Sequence, residues 1–217
     1  MSRAAPLLVT LFLLVTLAAS ATAWGQLGHS TVATIAYNNL SPKAKRPVEG
    51  RLPAIIAVLP PNCKNGGCVI TAIATNARDL AINKDNPKAA WQALANLVHY
   101  VGDVTCPMHI TGYAAARNGN LHSAWDGVIL DMTVRKYFGG NQDAWMNHVV
   151  ELTGYKVRDF VGREPRPTFA PSFMAQFQVN GKIEGAYHDG VRDLADMQLA
   201  KAGARLGALL NKVLGGQ

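Results

Sequence analysis

The chain has 217 residues, 49% of them hydrophobic and 16% charged, which suffices for one or two domains with a sizeable core. Beyond its first residues no apolar run approaches membrane-spanning length, so a membrane-spanning anchor is not expected. The net charge of +7 disfavours cationic partners and favours anionic ones: nucleic acid, phosphate esters or anionic surfaces. Basicity of this size also serves solubility alone.

In chain order, Arg3 provides a short positive region, "APLLVTLFLLVTLAAS" an apolar run too short for a membrane anchor, and "ATA" (Ala21 to Ala23) a small-residue cleavage site. Residues 1–23 therefore read as a secretory signal peptide cut before Trp24, leaving a soluble, secreted protein. Losing Arg3 leaves 20 basic against 14 acidic side chains, a net charge of +6. From His29, the residues Val32, Ile35 and Ala36 recur at helical spacing until Ser41-Pro42. Asn39-Leu40-Ser41 is a glycosylation sequon, weakened by its place at a helix end. A basic stretch broken by Pro47 and Pro53 leads to a short apolar piece ending at Pro60-Pro61.

Cys63 and Cys68 then bracket the tight loop "CKNGGC". In an oxidising compartment a local disulfide is expected, with metal binding the lesser reading; Cys106 is left over with its state open. Val69, Ile73, Ala77 and Leu80 mark the next helix. "DNP" starts another at Asp85 or Asn86, ending near Pro107. After the loop "GYAAARNGN", "LHSAWDGVILDMTVRKYF" is helical. "GGN" breaks it, and Ala144 to Leu152 is a further short helix. The Pro-rich "VGREPRPTFAP" connects to a long helix over Asp189 to Leu214. Alternating strand patterns are nearly absent. The expectation is one mainly α-helical domain over residues 24–217.

His99 and Asp103, four residues apart on the helix ending near Pro107, share one face; His122 and Asp126 repeat the spacing on the next helix. His109 sits just past a Pro turn between them. Imidazole and carboxylate together suit zinc, against the plainer reading of core histidines and surface acids. Signal cleavage would make Trp24 the first residue, and a free α-amine, with a pKa of about 7.7–8.0, deprotonates easily enough to bind metal. His29 follows within "WGQLGH". His148 and His188 lie outside these motifs and read as surface histidines.

"WGQLGH", "VHYVGDVTCPMH" and "NLHSAWD", in that order, resemble the secreted zinc-dependent single-strand-specific nucleases that also act as 3′-nucleotidases; zinc-dependent phospholipase C shares their fold. "CKNGGCVITAIA" and "AKAGARLGALLN" are similar to further stretches of the nucleases. The likeness covers most of residues 24–130 and the C-terminal helix, and is poor over 131–185. It implies a helical fold with three zinc ions in a cleft. One would be held by His109, His122 and Asp126. A second would be held by the amine and carbonyl of Trp24, His29 and Asp103. Asp103 would bridge to the third, which also takes His99, and would thereby serve catalysis.

The same likeness implies two more ligands for that third zinc, an Asp and a His, between the first helix and the Cys loop. Here the interval "KAKRPVEGRLPAIIAVLPPN" holds neither; Glu49 is its only acid, so a segment is missing around residues 45–62. The implied reaction is hydrolysis of phosphodiester bonds in single-stranded DNA and RNA to 5′-phosphate products, by a protein that works as a monomer. The alternatives are a zinc-dependent phospholipase C and a catalytically impaired zinc- or nucleotide-binding homologue left by the deletion.

Overall fold

A computed structural model describes residues 24–48, 69–110, 121–154 and 185–215, and of residues 109, 110 and 121 the backbone alone. Residues 1–23, most of the shortened interval, Cys63 and Cys68 lie outside the described residues. All regular structure described is helical: α1 (Gln26–Asn38), α2 (Pro42–Lys45), α3 (Val69–Ile82), α4 (Pro87–Asp103), α5 (Pro107–Ile110), α6 (Leu121–Ser123), a π turn (Ala124–Val128), α7 (Ile129–Tyr137), α8 (Gln142–Gly154) and α9 (Gly185–Gly215). No strand occurs among the described residues.

Local chemistry explains the boundaries. Ser41 caps α2 by accepting from the Ala44 amide (3.3 Å), and Asn86 caps α4 by accepting from the Ala89 amide (3.4 Å); each is followed by a proline in the first turn. Between α7 and α8 the chain turns on Gly139 and Gly140, both at positive φ (59° and 84°), where a side chain would be strained. Asn141 then accepts from the Ala144 amide (3.0 Å) and starts α8.

The 31-residue α9 runs against α1, α4, α7 and α8, and its contact with α1 is the most extensive. A Cβ on Gly203 would fall 2.4 Å from the Ile35 Cβ, and one on Gly207 3.1 Å from the Ala36 carbonyl oxygen, so "AKAGARLGALL" is a surface kept small for α1. Asn211 fastens the far end of that contact: it donates to the Asn39 carbonyl (2.9 Å) and accepts from the Ser41 amide (2.7 Å). Trp24, Ile35, Leu97, Trp125, Ile129, Leu199 and Leu206 fill the core between α1, α4, the π turn and α9. Burying each such side chain contributes about 1.5–3 kcal/mol. This core is the floor on which the polar residues of α1, α4 and the π turn converge.

Candidate metal centre

α1 and α4 pack side by side, and their shared face carries the polar cluster. His29 Nε2 lies 3.4 Å from Asp103 Oδ1, and His99 Nε2 lies 3.2 Å from Asp103 Oδ2. The two imidazoles tilt against each other with centroids 4.8 Å apart. Ligand atoms from all three residues lie within 4.8 Å of one another, and the three side chains are buried. The i,i+4 spacing on α4 puts His99 and Asp103 one turn apart; only the packing of α1 adds His29.

Burial sets the electrostatics. It pushes the Asp103 carboxyl up to about 8 and the His99 imidazole down to about 4. Both partners therefore favour their neutral forms in the protein alone. His99 Nδ1 and Asp103 Oδ1 make no hydrogen bond among the described residues, although both atoms are buried. Buried polar atoms left in this way cost about 1–3 kcal/mol each. A cation between them would recover that cost and favour the ionised carboxylate.

The second His-x3-Asp pair lies on a different kind of element. The sequence suggests a continuous helix from Leu121, but the chain widens into a π turn at Ala124–Val128, where the Ile129 amide donates to the Ala124 carbonyl. Such turns insert an extra residue into the helical ladder and change the direction in which neighbouring side chains project. Asp126 sits within it, buried, with His122 Nε2 3.7 Å from its Oδ2. Burial raises the Asp126 carboxyl to about 8, and the nearby acid Asp103 adds to the rise. Burial also lowers His122.

Trp24 lies under both pairs. It is fully buried, packs edge-on against Trp125 with centroids 6.3 Å apart, and donates from Nε1 to the Gly102 carbonyl (3.0 Å). The Gly25 amide donates to the Asp126 carbonyl, which attaches the start of α1 to the π turn. Trp125 in turn donates from Nε1 to the Tyr187 hydroxyl on α9 (3.0 Å). The sequence reading did not include Tyr187; a lone aromatic at the start of a helix carries no signal for such a role.

The arrangement brings together His29, His99 and Asp103, pairs His122 with Asp126, and places Trp24 beside them. The His109 side chain lies outside the described residues. His148 is exposed, as expected, and approaches Asp196 at 3.9 Å. The surface reading of His188 is corrected: it is fully buried, with Nε2 2.9 Å from the Thr133 hydroxyl and Nδ1 3.2 Å from Asp189 Oδ1. It packs against α7, on a helix that begins at Gly185, earlier than its periodicity suggests. Cys106 is buried. Asn39 turns its side chain back to donate to the Ile35 carbonyl (2.8 Å), where its amide nitrogen serves the helix end.

An all-helical core whose interior brings two imidazoles and a carboxylate to ligand spacing defines a helical protein with a cluster that could hold a metal ion. The chain belongs to the S1/P1 nuclease family, whose model matches residues 56–215. That match runs through 131–185, where few family motifs are legible, and leaves α1 outside. The chain is 25% identical over 269 residues to Nuclease PA3 of a Penicillium species, with 89% of this chain and 99% of the relative covered. It is 24% identical over 269 residues to Nuclease P1 of Penicillium citrinum, with the same coverage. Endonuclease 3 of Arabidopsis thaliana is 20% identical over 186 residues, covering 70% of this chain and 63% of the relative. No described helix is long and apolar enough to cross a membrane.

Proposed function

We propose that the chain is a secreted, monomeric, zinc-dependent nuclease. It would hydrolyse phosphodiester bonds in single-stranded DNA and RNA to 5′-phosphate products, with 3′-nucleotidase activity on the same site. The observation that carries this reading is the convergence of His29, His99 and Asp103 beside the His122–Asp126 pair.

The donor set suits zinc. Ligands about 2.0–2.1 Å from a tetrahedral zinc lie about 3.3 Å from one another, and the His29–Asp103 and His99–Asp103 separations are 3.4 and 3.2 Å. Nitrogen and carboxylate oxygen are the donor types zinc takes. Asp103 turns one oxygen toward each imidazole, so one carboxylate serves two donor sets: His29 with the Trp24 amine and carbonyl on one side, His99 on the other. His122, Asp126 and His109 form the remaining set. Zinc, when bound, supplies Lewis acidity and acidifies a water. The chain's imidazoles and carboxylates would hold the ions that attract an anionic phosphate, and the buried floor of Trp24 and Trp125 keeps bulk water from beneath the site. The net charge of +6 after cleavage, 20 basic against 14 acidic side chains, favours a polyanionic backbone, with binding that weakens as salt rises. The proposal further includes cleavage before Trp24 and a disulfide between Cys63 and Cys68.

The test is release of acid-soluble nucleotide from single-stranded DNA and RNA, with and without chelator, and with a lipid phosphodiester as control. Zinc-restorable release from nucleic acid is expected. Cleavage of lipid alone would move the chain to the phospholipase reading.

A second reading has its own support. The comparison with Nuclease PA3 spans 269 residues, more than the whole 217-residue chain, so the relative carries segments that this chain lacks. A loss around residues 45–62 would remove an Asp and a His from the site and leave an impaired zinc- or nucleotide-binding homologue. Inserting a family-type segment with both residues between Leu52 and Cys63 should raise the rate. No cleavage by the restored chain in excess zinc would leave only the binding reading.

A further inference from the structure

We infer that Gly102 is a positioning residue of the centre: its bare Cα seats the His29 ring and its carbonyl holds the Trp24 indole, so the N-terminal segment is registered against the His99–Asp103 face of α4. The inference rests on the metal reading above and adds to it the device that brings distant parts of the chain into ligand register.

Gly102 immediately precedes Asp103. A Cβ placed on it would fall 2.8 Å from His29 Nδ1 and 3.0 Å from His29 Cε1, with Trp24 Cδ1 at 3.7 Å. The ring that would have to move is 1% exposed and is held between α1 and α4, so it has no solvent into which to swing. Any methyl at 102 therefore shifts the imidazole that faces Asp103 at 3.4 Å. The glycine is needed for close approach; its backbone is ordinary helix.

The carbonyl has a separate task. α4 ends at Asp103, and carbonyls in a last helical turn lack some of their usual intrahelical partners. The Gly102 carbonyl accepts from the Thr105 hydroxyl (2.6 Å) and from Trp24 Nε1 (3.0 Å). The second bond joins residues far apart in the chain, one of them the residue whose amine the proposed function uses. Ring seat and carbonyl bond thus fix His29 and Trp24 against one residue of α4.

Three variants test this. Gly102→Ala fills the seat. Trp24→Phe keeps an aromatic at 24 but removes the indole donor. Gly207→Ala also crowds α1, at 3.1 Å from the Ala36 carbonyl, but away from the centre. Each full chain is stripped of metal, checked for folding by circular dichroism, and titrated with cobalt while its visible absorption is followed. Zinc affinity is then read by competition with a chelator. Gly102→Ala should weaken zinc by about 10–100-fold, the range for supporting partners of metal ligands, and alter the cobalt bands. Trp24→Phe should weaken zinc about tenfold while remaining folded. Gly207→Ala should lower the melting temperature and leave affinity and bands unchanged. Should Gly102→Ala fail to fold, Trp24→Phe decides. Tight binding by the wild-type chain with unchanged affinity in the folded variants would overturn the inference alone, as would an equal loss in Gly207→Ala. Absence of binding by the wild-type chain would overturn the metal reading and the inference with it.

Discussion

His29 Nε2 lies 3.4 Å from Asp103 Oδ1, a contact that joins the first described helix to the last residue of α4. The other oxygen of the same carboxylate faces His99 at 3.2 Å. One acid between two imidazoles, all buried, is a poor ion pair for stability, because desolvation offsets the attraction. It is a good site for a cation, which supplies the missing positive charge without needing protonated histidine.

Asp103→Ala should therefore disable the centre. It removes the partner of both imidazoles, and hydrolysis of single-stranded DNA should fall more than about a hundredfold, beyond the usual loss for a supporting residue. His122→Ala and Asp126→Ala should each abolish the remaining hydrolysis, since a zinc with few protein ligands does not retain geometry when one is lost. Steady-state rates at saturating zinc check this, with circular dichroism reporting the fold. Wild-type rates in any of the three would remove that residue from the site.

Metal content should be about two tightly held zinc ions per chain with a third held weakly, because the proposed assignment fills two donor sets and leaves one short of two ligands. Mass spectrometry of metal after dialysis without chelator measures it. Removal by chelator should lower the melting temperature and zinc should restore it, as for any ligand that binds only the folded state. No zinc, or three equally tight ions, would contradict the donor assignment.

A chain beginning at Trp24 should load more zinc than one carrying extra residues before it. An amide nitrogen in place of the terminal amine is no longer a ready donor, while the Trp24 indole bond to Gly102 stays in place. Equal zinc content and equal activity in the two proteins would rule out the amine.

Asp196 on α9 offers a pH test apart from the metal centre. It is buried, accepts from Trp145 Nε1 at 3.0 Å, and burial raises its carboxyl from 3.8 to about 6. Because the folded pKa is the higher one, the folded state binds the proton more tightly. The stability from this group is complete below about pH 4 and is lost as pH rises through about 6. Asp196→Asn keeps an oxygen for Trp145 and has no charge to bury. Its stability relative to wild type should thus rise between pH 4 and pH 7, by on the order of 1–3 kcal/mol. Urea denaturation at the two pH values measures the difference; a constant difference would show that Asp196 does not titrate in this range.

The helices were legible because their signals are local. Apolar residues at helical spacing marked α1, α3 and α4; Ser41-Pro42 and Asn86-Pro87 marked starts; and Gly139-Gly140 marked a break. The i,i+4 pairs at His99–Asp103 and His122–Asp126 follow from helix geometry alone, so half of each donor set could be read without a fold.

The rest depended on which helices touch. A π turn has no composition of its own, so the widening at Ala124–Val128 was invisible in a pattern that fits an ordinary helix. His188 lay outside every motif, and only the packing of α9 on α7 buries it against Thr133. The chain itself determined a helical protein bearing paired imidazoles and carboxylates. The tertiary structure decided that His29 reaches Asp103 and that Trp24 reaches Gly102, because each contact joins segments distant in sequence and depends on the close packing of α1 against α4.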